Sequence, residues 1–184
     1  MKKILLLIAA AIATVGVARA QFVLTPNGIA NNTDKDYLVF EYGSKSQSEL
    51  FTTVNMALNA MYVSPQDVLS IVKNNSITIN GVATHIHRDK NMFSTLSTMT
   101  MNYTIVVEFK DGRIRIMNPT INKLIIPSNG TSTTSYDGLE WIAYLYNKKG
   151  VEKHPKTNES IEDHLNNIVL KITSSITEKE NDNW

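Results

Sequence analysis

A chain of 184 residues with 42% hydrophobic residues can bury a core of its own as one domain, and the absence of cysteine excludes disulfides and a lipid-modified N-terminal cysteine. Its 18 basic and 17 acidic residues nearly cancel, which excludes the broad basic surface that nucleic acid or anionic lipid would require.

Residues 1–20 read as a cleavable export leader. Met1-Lys2-Lys3 is the charged start, Ile4–Val17 the apolar run, and Ala18-Arg19-Ala20 the small-x-small cleavage signal. At about 1.5 Å per residue the apolar run spans roughly 21 Å, short of the roughly 30 Å of a bilayer core. Cleavage after Ala20 is expected, so that the mature chain begins at Gln21 and has no transmembrane segment and no lipid anchor. Losing Lys2, Lys3 and Arg19 leaves fifteen basic residues against seventeen acidic ones, a formal charge of −2.

Residues 21–35 are polar and rich in turn signals (Pro26-Asn27-Gly28, Asn31-Asn32-Thr33) and read as a lead-in segment. A core is expected over residues 36–118. Tyr37–Tyr42 is rich in aromatic and β-branched residues and reads as the first strand. A helix then runs to about Tyr62, with Ser46 and Glu49 at capping-box spacing and Leu50, Val54, Ala57, Leu58 and Met61 on one face. Ser64-Pro65 stops it. Two strands, Val68–Lys73 and Ser76–Ala83, flank an Asn74-Asn75 turn, with Ile77 and Ile79 buried and Asn80-Gly81 a competing turn or bulge. Arg88–Asn91 reads as a polar loop.

The clearest signal is the hairpin Ser97–Asn118, whose alternating strands flank Asp111-Gly112. A two-residue turn places Lys110 opposite Arg113, Phe109 opposite Ile114, Glu108 opposite Arg115 and Val107 opposite Ile116. Met99, Met101, Tyr103, Ile105, Val107, Phe109, Ile114 and Ile116 then share a buried face. Thr98, Thr100, Asn102, Thr104, Glu108 and Arg115 share the other, which is expected to be wet. A strand from Ser97 to Phe109 would reach about 44 Å, so a bend, a bulge or a later start is expected.

Residues 119–157 read as a loop with a short helix, whose capping spacing is Asp137 to Glu140 and whose face is Leu139, Ile142 and Tyr146. Gly150 and His154-Pro155 break the chain again. Residues 158–184 read as a C-terminal helix packed on the core through Ile161, Leu165, Ile168, Ile172 and Ile176, with a frayed end from Thr177. The order β-α-β-β-β-β-α makes an α+β protein, an antiparallel sheet of about five strands covered on one face by helices.

The leader, the strand passing through Gly43-Ser44-Lys45 into a helix, and the long strand closing on Lys110-Asp111-Gly112-Arg113-Ile114-Arg115 resemble bacterial secreted proteins carrying domain of unknown function 4468. The resemblance covers about Asp36–Asn118, implies a TBP-like fold and an envelope setting, and carries over no catalytic residues. TATA-binding protein meets DNA with the concave face of its sheet, using basic residues and phenylalanine wedges. Here that face would be threonine and asparagine with Glu108 and Arg115, on an acidic mature chain, so nucleic acid is excluded as a partner.

Chemistry-bearing patterns are sparse. His85 and His87 share a strand face, with Asp89 in the same register, which is the start of a metal site but short of the three or four converging ligands zinc needs. Asn32, Asp34 and Asp36 imitate a calcium loop, but Tyr37 and Gly43 stand where glycine and glutamate are required. No nucleophile elbow, phosphate-binding loop or zinc-protease motif occurs, so no catalytic residue, cofactor or metal is assigned. Met56, Met61, Met99 and Met101 fall on core or border positions. The expected function is a non-enzymatic binding or adaptor module of the bacterial envelope, periplasmic or secreted, meeting an envelope protein or glycan. The candidate surfaces are Thr98, Thr100, Asn102, Thr104 and Arg115 on the open face, and Trp141 and Tyr144 in the short helix. The alternatives are a small hydrolase using His85 and His87, and a structural envelope subunit.

Overall fold

The computed structural model describes residues 22–89, 98–127 and 132–181, so the leader, Gln21 and Ser97 lie outside the described residues. Its centre is the expected hairpin, and the reason is the alternation of its side chains. The strands β6 (Thr98–Lys110) and β7 (Arg113–Met117) follow β1 (Val23–Thr25), β2 (Gly28–Ala30), β3 (Tyr37–Glu41), β4 (Leu69–Val72) and β5 (Ser76–His87). All four expected pairs recur, from Lys110–Arg113 to Val107–Ile116. Every residue expected on the inner face, from Met99 to Phe109 and at Ile114 and Ile116, is buried.

The sheet has seven strands, two more than expected. β3, β7, β6, β5 and β4 lie side by side in that order. The additional strands come from the segment after Pro119, where the expectation is a loop with a short helix. β8 (Thr120–Pro127) continues along the same edge of β6 that β7 occupies, and β9 (Thr133–Asp137) pairs outside β8. Asn118 and Pro119 therefore kink one long path rather than end it, and Ile121, Leu124 and Ile126 enter the core.

β6 itself is uninterrupted over 13 residues. The expected irregularity falls on its partners: β5 shifts register between Ala83 and Ile86, and β8 shifts opposite Asn102 and Tyr103. Such bulges increase local twist and let a long strand curl with its sheet. The turn between β4 and β5 spans Lys73, Asn74 and Asn75, with Asn74 at φ 59, one residue longer than expected. Asn80-Gly81 neither turns nor bulges; it runs straight through β5.

Helix α1 (Gln47–Met61) has the expected capping box, Ser46 with Glu49. Its buried residues are Leu50, Phe51, Val54 and Leu58, while Met56, expected at the core or its border, is 61% exposed. Pro65 also starts a single turn, α2 (Pro65–Val68), before β4. The helix α3 (Glu140–Leu145) begins after Leu139 and not at Asp137, and it turns Trp141 and Leu145 inward while Leu139 is exposed. The helix α4 (Pro155–Asn181) starts three residues earlier than expected and buries all five expected apolar residues plus Val169. Helices α1 and α4 pack on each other and on the apolar side of the sheet.

Residues 21–35 are more than a lead-in. Phe22 and Leu24 are buried, and β1–β2 forms a separate small hairpin against α4. Asn166 both accepts from the Phe22 N–H (2.8 Å) and donates to its carbonyl (2.9 Å), so a side chain on α4 pairs the backbone as a neighbouring strand would. Among the described residues no helix is long and apolar enough to cross a membrane.

Candidate functional site

The helices occupy one side of the sheet, which leaves the other side as the broad surface the fold presents. Alternation along β6 puts Thr98, Thr100, Asn102, Thr104, Val106 and Glu108 there, all half-buried by their neighbours. The structure therefore brings together the five open-face residues expected as a binding surface, with Arg115 opposite Glu108. Thr104 donates to Asn80 Oδ1 (3.0 Å) and accepts from Asn122 Nδ2 (2.8 Å), which links β5, β6 and β8 in one hydroxyl–amide row.

At the β3 end the chemistry changes to charge. Arg115 forms an ion pair with Glu108, and its guanidinium carbon lies 4.9 Å from the centre of the Tyr37 ring. The hydrogen bond that Arg115 Nε donates to the Glu108 carboxylate raises the Arg115 pKa above its ordinary value. Lys35 Nζ stands 5.3 Å from the same ring. Glu41 lies opposite Arg113, and Arg113 opposite Lys110. Together with Val39 these side chains line a cleft of about 380 Å³. Hairpin register alone indicated Lys110 and Arg113 as neighbours. Tyr37, Lys35 and Glu41 were missed because the pairing of β3 with β7 crosses more than seventy residues of chain and leaves no local pattern.

The other expected sites fare differently. Trp141 is 2% exposed and packs inward, and Tyr146 is buried, its hydroxyl accepting from Asn158 Nδ2 (3.2 Å) and pushed up to about 12 by burial. Tyr144 is wedged between Tyr136 and the stacked ring of His154, at 5.1 and 4.5 Å between centroids. Trp141 thus docks α3 and is too buried to serve as the contact surface expected of it, while Tyr144 stays half-buried. The inward turn of Trp141 has a simple cause: β8 and β9 supply a wall for α3 where a loop is expected from the sequence.

His85 and His87 are both exposed at the bulged end of β5. His85 Nδ1 bonds to the neighbouring Thr84 hydroxyl (2.8 Å). Asp89 is committed elsewhere: its carboxylate accepts from the backbone N–H groups of Lys156 and Thr157 at the start of α4, and its own N–H donates to the Thr157 hydroxyl (3.0 Å). That is a helix cap supplied from a distant segment. Among the described residues no three His, Asp or Glu side chains converge on a metal-sized point.

One cluster lies on the covered side. Tyr103 bonds to Tyr62 through their hydroxyls (3.3 Å), packs edge-on to His164 of α4 at 5.2 Å, and covers Gly81. Burial raises both tyrosines and lowers His164.

Residues 37–122 match the family described as Domain of unknown function (DUF4468) with TBP-like fold. No curated protein matches this chain. Among solved structures, a TBP-like protein from Parabacteroides distasonis is similar over 77% of this chain and 90% of its own, at 14% identity and a TM-score of 0.58. A DUF4468 family protein from Bacteroides ovatus is similar over 76% of this chain and 84% of its own, at 16% identity and a TM-score of 0.52. The fold is TBP-like: an antiparallel sheet carrying its helices on one side.

Proposed function

We propose, for a chain whose residues 37–122 carry the DUF4468 domain, that the protein is an exported envelope module that binds its partner on the open face of the sheet and performs no chemistry on it. The observation that carries this reading is the sidedness of the sheet. The helices take up one face, and the other is left with ordered hydroxyl, amide and charged groups and few large apolar ones. Large burial on one side explains stability, so the regular polar pattern on the other is free to serve recognition. Export is supported by the charged, apolar and small-residue order of residues 1–20. Mass spectrometry of the protein recovered from the envelope is expected to find Gln21 at its N-terminus, and retention of Met1 would refute export by this leader.

Photo-crosslinking in intact cells tests the binding face. A crosslinking residue at Val82 or Thr104, both on the open face, is expected to yield a defined adduct. The same residue at Leu170 on the exposed side of α4 is expected to yield none. Adducts from Leu170 alone would overturn the assignment of the face.

A further inference from the structure

The open face has two chemistries along one strand, and resting on the reading above we propose that together they select an acidic glycan, a carboxylate-bearing sugar chain long enough to reach both. The first chemistry is a local excess of positive charge. Four cations, Lys35, Lys110, Arg113 and Arg115, surround the cleft against two acids, Glu41 and Glu108. Arg115 and Glu108 neutralise each other. Glu41 offsets one more cation, and two positive charges remain on a chain whose overall balance is near neutral. Lys110 and Arg113 are exposed cross-strand neighbours. Like charges placed directly opposite on a sheet repel, and an anion bound between them removes that penalty.

The second chemistry is the row of Thr104, Asn80 and Asn122, which crosses the same face four residues along β6 from Glu108 at the cleft, about 14 Å at 3.4 Å per residue. Hydroxyl and carboxamide groups both donate and accept, which suits a ligand dense in hydroxyls and suits an apolar peptide poorly. The cleft volume of about 380 Å³ is at the small end of ligand sites, the size of one or two sugar rings. The carboxylate of a unit seated in the cleft would meet its cations, and the hydroxyls of the units that extend beyond it along β6 would meet the Thr104 row. Tyr37, held between Lys35 and Arg115, keeps those cations in place.

Calorimetric titration of the purified exported protein tests this with three probes: a trimeric galacturonate, the same trimer fully methyl-esterified, and a tri-glutamate peptide. The galacturonate is expected to bind at least about tenfold more tightly than the ester, since the charge-assisted contacts are lost with the charge. Lys110→Gln combined with Arg113→Gln is expected to reduce the galacturonate to the level of the ester. Thr104→Val is expected to weaken both sugars and leave the peptide unchanged. Equal binding of ester and acid, equal binding of tri-glutamate, or no binding of galacturonate would each overturn the proposal. A partner crosslinked at Val82 that is indifferent to the Lys110 and Arg113 changes would overturn the glycan and leave the binding face standing. Adducts from Leu170 alone would remove both.

Discussion

Phe109 is buried and meets the Phe51 ring edge-on at 5.5 Å between centroids, so it fills the space between α1 and the hairpin. Phe109→Ala is expected to cost about 3–5 kcal/mol in denaturant unfolding. Thr100→Ala, on the open face, is expected to change stability by less than about 0.5 kcal/mol. Gly81 is the sharper case. A Cβ there would lie 2.1 Å from the Tyr103 ring, which Tyr62 and His164 hold in place. Gly81→Ala is expected to destabilise by about 1–3 kcal/mol through overpacking. The cost should shrink in a Tyr103→Leu background, and an additive double mutant would show that the ring is not the obstacle. A turn or bulge is the local use of a glycine such as Gly81. Its actual use, making room for a ring on the neighbouring strand, belongs to a pairing that no short window contains.

The two segments that carried the family resemblance meet as parts of one joint. The carboxylate of Asp111 accepts from the Gln47 N–H (2.8 Å) at the start of α1, and Gln47 Nε2 donates to the Phe109 carbonyl (2.8 Å). Gly112, at φ 72, donates to the Lys45 carbonyl and accepts from the Tyr42 N–H, both at 2.7 Å. The hairpin turn thus caps the helix and clasps the loop that leads into it. Asp111→Ala is expected to lower stability by about 0.5–2 kcal/mol, the usual worth of a cap, read as a shift of the denaturation midpoint with unchanged slope. Asp111→Asn should recover part of the loss, because the amide oxygen still accepts. The hairpin and α1 were legible in advance because period and capping are local. β8 and β9 were not: Thr131–Ser135 has no apolar alternation, and β9 is held as a strand by pairing with β8 and not by its own pattern.

Two features set the behaviour of the whole molecule. The first is the N-terminal clasp. Phe22 is completely buried and tied by both backbone groups to Asn166, and the Leu24 N–H donates to Glu162 (2.7 Å). Phe22→Ala is therefore expected to cost about 3–5 kcal/mol, as much as a central core residue, and a surface-like effect would show that β1–β2 is a detachable lead-in. The second is pH. Burial lowers the pKa of His164 and of His154, so the unfolded chain binds more protons below its ordinary value of 6.5. Their contribution is complete above that value and is lost as pH falls towards the folded-state pKa. Burial raises Glu162, whose contribution has the opposite sign and is lost as pH rises above 4.5. Denaturant unfolding at pH 7.5 and pH 5.5 should find the protein less stable at the lower pH. His164→Gln should flatten the difference, and an unchanged slope would remove His164 as its source.

The sequence by itself determined the elements whose causes are local: the alternation that splits the hairpin into a dry and a wet face, its register through Asp111-Gly112, the capped α1, and the apolar stripe of α4. It also determined which polar residues would share the open face, since alternation on β6 leaves them no other side. Tertiary structure decided what depends on who lies next to whom. It turned Trp141 inward by building β8 and β9 as a wall, committed Asp89 to the start of α4, buried Phe22, and brought Tyr37 of β3, with Lys35 just before it, to Arg115 of β7. Those outcomes come from contacts between segments far apart in the chain, where burial and charge act through space, and neither the order of residues nor their spacing records that distance.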